Sequence, residues 1–327
     1  MTPLVDVSGL KVVFHGDRGQ TMHAVDTVDF DLKRGATLGL VGESGCGKSV
    51  TALAIMGLLR KTGADVFGRV RFDGTDLLAI PDRALRDLRG NRLAMIFQEP
   101  MTSLNPSYTI GEQIVEVLVR HRDMNRAEAR QHAIELLRAV RIPSPEQRAD
   151  DYPHKLSGGM RQRAMVAMAL ACDPELLIAD EPTTALDVTI QAQVLDLMRT
   201  LKTQTKAAII LITHDLGVVA EVCDEVAVMY AGEIVERAPV DALFDRPQHP
   251  YTIGLMASIP RLDRRVNRLA TIEGALPDMT SPPPGCRFAP RCPFVVEACV
   301  RGPPPVVTVG AQHWSRCVKA PLEQVLP

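Results

Sequence analysis

The stretch GESGCGKS, from Gly42 to Ser49, has the residue types and spacing for phosphate chemistry. Glycines let successive main-chain N–H groups turn inward around phosphate oxygens, Lys48 supplies a positive charge, and the hydroxyl of Ser49 is a ligand for Mg²⁺. The stretch follows the apolar run TLGLV and precedes a helical run, as the pattern G-x-x-x-x-G-K-[ST] requires. It predicts a phosphate-binding loop made of Gly42, Glu43, Ser44, Gly45, Cys46, Gly47, Lys48 and Ser49.

Two carboxylates, Asp180 and Glu181, end a second apolar run, LLIADEP. A buried carboxylate at the end of a strand can hold Mg²⁺ through water, and the next one can polarise an attacking water. A strand that ends in two acidic residues is common, and the loop at 42–49 is what gives this pair its weight. The pair predicts a metal-binding Asp180 and a general base at Glu181.

A third stretch, LSGGMRQR, places Ser157, Gly158 and Gly159 at the start of a strongly helical run. The free N–H groups and the dipole at a helix N-terminus bind anions. An ordinary N-cap with flexible glycines explains the same residues equally well when they are taken alone.

Short apolar strands alternate with helical runs around these motifs, which indicates an α/β sheet. Helical periodicity extends over 110–141. Alternating polar and apolar residues predict β-structure at 4–14 and 22–32, and EVAVMYAGEIVER predicts a hairpin that turns at its AG pair. Buried strands are predicted at 37–42, 93–98, 176–180 and 207–213.

The composition is that of a globular protein, with 46% hydrophobic and 23% charged residues in a chain of 327. A net charge of −2 gives no overall electrostatic reason to bind nucleic acid. The apolar run at 207–212 is far shorter than the roughly 20 residues that cross a bilayer, and the N-terminus shows no signal-peptide pattern. The sequence predicts a protein that does not itself span a membrane.

In this order the loop, LSGGM, LLIADEP, TALD and a histidine after the next strand resemble the ATPase subunit of an ABC transporter, over residues 4 to about 258. The resemblance implies a P-loop NTPase with a RecA-like core, an antiparallel β subdomain and a helical subdomain. It also implies ATP and Mg²⁺ as ligands. In this family each ATP lies between the P-loop of one subunit and the LSGG segment of the other.

The resemblance gives roles to residues outside the loop. Phe14 is expected to stack on adenine, although core packing also explains an aromatic residue on a strand. Gln98 is expected to reach Mg²⁺ and the water, Glu181 to be the general base, and His214 to contact the γ-phosphate. Asp187 is expected to link the two sites across the dimer. The implied Mg²⁺ ligands are Ser49, Gln98 and Asp180.

Two residues depart from the family pattern. Val50 occupies the position at which a threonine is often drawn to the α-phosphate, which puts that contact in doubt although Thr51 is adjacent. Met160 replaces a glutamine, a change expected to matter little if the main chain and Ser157 bind the anion.

Four further stretches, FQEPMTSLNP, YPHKLSGGMRQR, DEPTTALDVTIQAQ and RPQHPYT, resemble the D-type ATPase of dipeptide/oligopeptide importers. That resemblance implies an F-type ATPase subunit as partner, two transmembrane permease subunits, an indirect extracytoplasmic solute-binding protein and a peripheral place on the cytoplasmic face of the membrane. Nickel, sugar or other small-solute import stays open as an alternative. A soluble ABC ATPase that acts on nucleic acid and a redox-sensing regulator are the rival classes.

The C-terminal cysteines follow the spacing C-x5-C-x6-C-x17-C. Four thiolates can ligate a [4Fe–4S] cluster or Zn²⁺, and the importer resemblance favours the cluster, with zinc and with free or disulfide-linked cysteines left open. Because the tail has few apolar residues, metal–thiolate bonds are expected to supply its folding energy. The predicted domains are an ATPase at 1–255 and a Cys-rich extension at 256–327. The candidate ligands are Cys286, Cys292, Cys299 and Cys317.

Overall fold

A computed structural model describes residues 2–16, 19–183, 187–258 and 272–322, whose contacts divide the chain into two compact units. The first unit contains Leu32–Thr37 and Ala79–Ile212, with the residues before Val5. The second contains Val5–Asp31, Leu38–Leu78 and the described chain after Ile212. No helix in these described ranges is long and apolar enough to cross a membrane.

The elements alternate as an α/β protein requires. The strands are β1 (Val5–His15), β2 (Thr21–Leu32), β3 (Thr37–Val41), β4 (Ala64–Phe72), β5 (Thr75–Asp76), β6 (Leu93–Ile96), β7 (Leu176–Asp180), β8 (Ala208–Ile212), β9 (Glu225–Tyr230), β10 (Glu233–Pro239), β11 (Val307–Gly310) and β12 (His313–Ser315). The helices are α1 (Lys48–Ile55), α2 (Asp82–Leu88), α3 (Pro100–Ser103), α4 (Ile110–His121), α5 (Arg126–Ala139), α6 (Pro145–Arg148), α7 (Gly158–Leu170), α8 (Val188–Thr205), α9 (Leu216–Val222), α10 (Val240–Asp245), α11 (Pro250–Ala257) and α12 (Glu297–Arg301). Single 3₁₀ turns lie at Leu58–Lys61, Pro153–Lys155 and Ala289–Arg291.

In the first unit, β6, β7 and β8 are parallel neighbours, with Leu176 opposite both Leu93 and Ala208. Every residue of these strands is buried. Continuous apolar runs form such strands because parallel sheets are covered on both faces. The alignment brings the carboxyl ends of the three strands to one edge of the sheet.

The periodic stretch predicted over 110–141 is divided between α4 and α5. Asp123 has a left-handed φ of 50°, and the side chain of Asn125 accepts hydrogen bonds from the N–H groups of Ala127 and Glu128. The Glu128 carboxylate accepts from the N–H of Asn125 in return. This capping box starts a new helix, which apolar spacing alone does not reveal.

The second unit contains an antiparallel sheet in the order β2-β1-β4-β5 and a run of neighbours in the order β3-β9-β10-β12-β11. β3 and β9 are parallel, and the remaining pairs of that run are antiparallel. The predicted hairpin of β9 and β10 is present, and it turns at Ala231 and Gly232, which have positive φ values of 46° and 85°.

The C-terminal extension is built into the second unit. β12 pairs with β10, so that Trp314 lies opposite Arg237. Phe288 is 2% exposed, and its ring centroid lies 5.2 Å from that of Tyr230 and 5.4 Å from that of Tyr251. The extension therefore has an apolar attachment that its composition does not predict.

Candidate active site

The phosphate-binding loop leaves the buried strand β3 and enters α1, as predicted. Gly42 and Gly47 have φ values of 152° and 107°, where L side chains are rarely found. A Cβ atom on Gly42 would lie 2.1 Å from the carbonyl oxygen of Met229, and one on Gly47 would lie 2.5 Å from that of Ala24. Close main-chain packing as well as backbone conformation therefore requires glycine at both positions.

Lys48 lies within the loop, with 5% of its surface exposed. Its Nζ donates hydrogen bonds to the carbonyl oxygens of Gly42 at 2.7 Å and of Glu43 at 2.9 Å. A buried ammonium group needs such partners. The loop thus holds its positive charge at its centre, where phosphate oxygens can take over these hydrogen bonds.

Two small side chains complete the packing of the loop. Cys46 is fully buried, and burial raises the pKa of its thiol, so it is a neutral space-filling residue. Thr51 is also fully buried and donates from Oγ1 to the carbonyl oxygen of Gly47 at 3.0 Å. The Thr51 hydroxyl therefore binds the main chain of the loop, and it does not replace a hydroxyl at position 50.

The remaining loop residues and Phe14 keep accessible surface in the second unit. Ser44 and Gly45 are exposed, and Ser49 is half-buried in the first turn of α1. Phe14 is half-buried on β1, opposite Ala64 of β4. Partial exposure is compatible with stacking on a base, and the role of Phe14 stays a prediction.

In the first unit, three predicted residues lie at the carboxyl edge of the parallel strands. Asp180 is the last residue of β7 and is 3% exposed, and Gln98 is exposed two residues beyond β6. Glu181 has a positive φ of 48°, which is uncommon outside glycine, and its N–H donates to the carbonyl oxygen of Ile212 at 2.9 Å. His214, two residues beyond β8, is exposed and belongs to the second unit.

The LSGG segment opens α7, also in the first unit. The hydroxyl of Ser157 accepts a hydrogen bond from the N–H of Met160 at 3.4 Å, so it is an N-cap. Ser157 and Gly158 are nevertheless exposed, and open space faces the Cβ position of Gly158 among the described residues. Asp187 is an exposed N-cap of α8, where it accepts from the N–H of Ile190 at 3.0 Å. The capping function and an outward-facing surface therefore coexist at both helix starts.

Residues 25–184 match the ABC transporter family, and residues 235–299 match the C-terminal region of oligopeptide/dipeptide transporters. The oligopeptide transport ATP-binding protein AppD of Bacillus subtilis is 52% identical over 318 residues, which cover 97% of each chain. The chain belongs to the ABC transporter ATP-binding subunits of the oligopeptide/dipeptide importer type. A putative peptide import ATP-binding protein of Brucella melitensis is 53% identical, again over 97% of each chain.

Solved structures of other proteins have the same fold as this ABC ATPase. The dimeric structure of a post-hydrolysis state of the ATP-binding cassette MJ0796, bound to ADP and Pi, matches with a TM-score of 0.66 and 26% identity, over 72% of this chain and 98% of that one. CbiO1 of Clostridium perfringens, part of the ABC transporter complex cbiONQ, matches with a TM-score of 0.61 and 25% identity, over 75% and 92% of the two chains. The family, the P-loop ATPase fold and ATP hydrolysis, all predicted from the sequence, are confirmed.

Two residues that the motifs do not select touch the loop of this ABC ATPase. Tyr251, from α11, accepts a hydrogen bond on Oη from the N–H of Glu43 at 2.8 Å. Arg291 donates to both carboxylate oxygens of Glu43, at 2.6 Å and 2.9 Å. Both lie in residues 235–299, which match the oligopeptide/dipeptide transporter C-terminal region, but 208 and 248 residues separate them from Glu43 in sequence. Local patterns do not reveal such a contact.

One small pocket is lined by the four cysteines of the extension together with His249 and Phe288. None of the seven cysteines forms a disulfide. Burial raises the pKa of Cys286 to about 11 and also raises the pKa values of Cys292 and Cys317. Across residues 2–16, 19–183, 187–258 and 272–322, no group of three or more His, Cys, Asp or Glu side chains is arranged to hold a metal ion. The predicted [4Fe–4S] cluster and its zinc alternative gain no support from this geometry among the described residues.

Proposed function

We propose that this chain is the D-type ATPase of a peptide importer, in which it pairs with an F-type ATPase subunit and drives two transmembrane permease subunits. The observation that carries the proposal is the presence in one chain of the ABC cassette and the C-terminal region of oligopeptide/dipeptide transporters. A solute-binding protein outside the membrane would deliver the peptide to the permeases. The chain would be held peripherally on the cytoplasmic face by those subunits.

In the proposed cycle, main-chain N–H groups of the loop and Lys48 bind the ATP phosphates. Glu181 accepts a proton from the attacking water, His214 contacts the γ-phosphate, and Phe14 stacks on the adenine. The positive φ of 48° at Glu181 supports its role, since strained backbone is concentrated at functional sites. Mg²⁺ supplies charge neutralisation at the phosphates, and its proposed ligands are Ser49, Gln98 and Asp180.

The outward-facing LSGG segment supports the pairing with a second ATPase subunit. Ser157 and Gly158 are exposed at the start of α7 and Asp187 is exposed at the start of α8. A helix N-terminus that remains accessible can bind the phosphate of an ATP carried by another subunit. The matched MJ0796 cassette is itself a dimer.

A groove in the first unit supports the coupling to a permease. Tyr108 and Val119, which are 51% and 40% exposed, line it together with acidic and basic residues of α4 and Arg126. The groove begins at Asn105, seven residues after Gln98 in the chain. A permease segment seated there would sense the position of Gln98 through this short connection.

Co-purification and uptake test the transport role. A tagged chain expressed in its native cells is expected to purify with one F-type ATPase and two permeases. The complex is expected to drive ATP-dependent uptake of a labelled dipeptide or oligopeptide, and Lys48→Ala is expected to abolish this uptake. Uptake of nickel or a sugar in place of peptide would contradict the cargo and leave the motor role intact. Nucleic-acid-stimulated hydrolysis without any permease would overturn the transport role.

For the cysteine pocket we infer a [4Fe–4S] cluster, with zinc as the alternative. The support is the donor chemistry, since the four thiols Cys286, Cys292, Cys299 and Cys317 line one pocket. These residues would hold the cluster as thiolates, which requires them to lose their protons on loading. Anaerobically purified protein is expected to be brown and to contain iron. One equivalent of zinc without iron, or no metal, would contradict the cluster.

A further inference from the structure

The guanidinium of Arg291 uses all of its donors inside the second unit. Nη1 donates to Glu43 Oε2 at 2.6 Å and to Tyr230 Oη at 3.3 Å, and Nη2 donates to Glu43 Oε1 at 2.9 Å and to the carbonyl oxygen of Ile272 at 3.1 Å. Nε donates to the carbonyl oxygen of Glu273 at 2.9 Å. These contacts occupy the five N–H donors of an arginine, and the side chain is only 5% exposed. Arg291 is therefore fixed in position.

Glu43 is held through its main chain as well as its side chain. Its N–H donates to Tyr251 Oη at 2.8 Å, and its carbonyl oxygen accepts from Lys48 Nζ at 2.9 Å and from the N–H of Cys46 at 3.3 Å. Its carboxylate accepts the two-pronged hydrogen bond from Arg291. Both outside partners, Tyr251 and Arg291, lie in residues 235–299, so the region that follows the cassette shapes the first turn of the loop.

An acidic side chain in this loop opposes the binding of an anion. The Glu43 carboxylate is 29% exposed and belongs to the same residue whose carbonyl oxygen holds Lys48. Without a cation beside it, this carboxylate would repel the ATP phosphates and compete with them for the ammonium group of Lys48. Arg291 supplies that cation in the geometry that a carboxylate binds best.

We propose that Arg291 is a positioning residue for nucleotide binding, acting through Glu43. It neutralises the Glu43 carboxylate and keeps the first turn of the loop in the shape that receives phosphate. The C-terminal extension is thereby a part of the ATP-binding site. This role goes beyond the proposed transport function, and it depends neither on the cargo nor on metal at the cysteines.

Titration of the full chain with a fluorescent ATP analogue in the presence of Mg²⁺ tests the proposal. Arg291→Ala is expected to raise Kd about tenfold, within the usual coupling between contacting residues. Arg291→Lys keeps the charge but loses the fork, and it is expected to raise Kd about threefold. The double variant Arg291→Ala/Glu43→Gln is expected to return Kd to within about threefold of the wild type, because the unneutralised carboxylate is gone.

Arg237→Ala is the matched control. Arg237 is another largely buried arginine of the second unit, and it pairs with Asp31 and Glu225, neither of which belongs to the loop. Its loss should lower stability and leave Kd unchanged, which separates a general weakening of the unit from an effect on the loop.

Two results would overturn the proposal. One is an unchanged Kd in Arg291→Ala. The other is a raised Kd that Glu43→Gln does not recover, since Arg291 would then be a general structural residue. If Arg291→Ala does not fold, Arg291→Lys decides the question, and an unchanged Kd in that variant refutes the role. In the assembled complex the expected change in Arg291→Lys is a higher KM for ATP with kcat retained, and the opposite pattern counts against it.

Discussion

The hydroxyl of Thr51 offers a direct test of how the loop works without a threonine at position 50. Thr51→Val keeps the shape of this buried side chain and removes the donor that reaches the carbonyl oxygen of Gly47 at 3.0 Å. That oxygen also accepts from the N–H of Thr51 at 2.9 Å, so the substitution leaves no buried acceptor unpaired. Only the net value of one neutral hydrogen bond is lost, and the free energy of unfolding should fall by about 1 kcal/mol.

Nucleotide affinity should respond differently from stability. Because the Thr51 hydroxyl is engaged with the loop main chain, Thr51→Val is expected to change the Kd for Mg²⁺-ATP by less than about twofold. Val50→Thr, which restores the hydroxyl at the family position, is expected to tighten binding about fivefold, since hydrogen bonds to charged groups are stronger than neutral ones.

Urea unfolding and titration with a fluorescent ATP analogue measure the two quantities on the same preparations. A Kd at least about tenfold higher in Thr51→Val, with stability unchanged, would mean that this hydroxyl reaches the nucleotide. The packing argument for Thr51 would then be refuted, and the adjacent threonine would have replaced the missing one.

Three further predictions concern the catalytic base, the loop glycine and an acid-sensitive ion pair. Glu181→Gln should bind ATP but lower turnover of the assembled complex at least about a hundredfold, whereas undiminished hydrolysis would remove it as the base. Gly47→Ala should lose stability and ATP affinity in urea and binding assays, because its Cβ meets a carbonyl oxygen at 2.5 Å. Gly63→Ala, also at positive φ but with no described residue within 4 Å of its Cβ position, should keep its affinity. The hydrogen bond from Arg92 lowers the pKa of Glu175, so the stability that this carboxylate contributes is present above its ordinary pKa of 4.5 and is lost as the pH falls through the lowered value. Glu175→Gln should therefore be less stable than the wild type at pH 7, and this difference in stability should disappear at low pH in acid unfolding curves.

The loop and the strand-end carboxylates could be predicted from the sequence because each signal is local. From Gly42 to Ser49 the motif is continuous, and the strand before it and the helix after it are marked by their own patterns. Asp180 is recognisable because an apolar run ends at it, and parallel strands share a carboxyl edge. Local patterns in the sequence do not predict the φ of 48° at Glu181 or the hydrogen bond from its N–H to β8.

Local sequence patterns could not predict how the extension is attached to the second unit. Composition suggests a tail held by metal–thiolate bonds, whereas the structure adds a buried Phe288 and an arginine that binds Glu43 from 248 residues away. Neither feature has a periodic signature. The predicted boundary between 255 and 256 stays a prediction, and it falls inside α11, whose Tyr251 binds the loop.

The pairing of β12 with β10 also has a consequence for solubility. Without the extension, Glu236 and Arg237 of β10 would lose their partners in β12 and β10 would become an edge strand, and such an exposed edge recruits strands from other chains. With the extension in place, the outermost strand of this run is β11, which has only four residues and ends at Gly310. Short edge strands are poor templates for aggregation. A chain cut after the cassette should therefore aggregate more readily, because the extension covers this edge of the sheet.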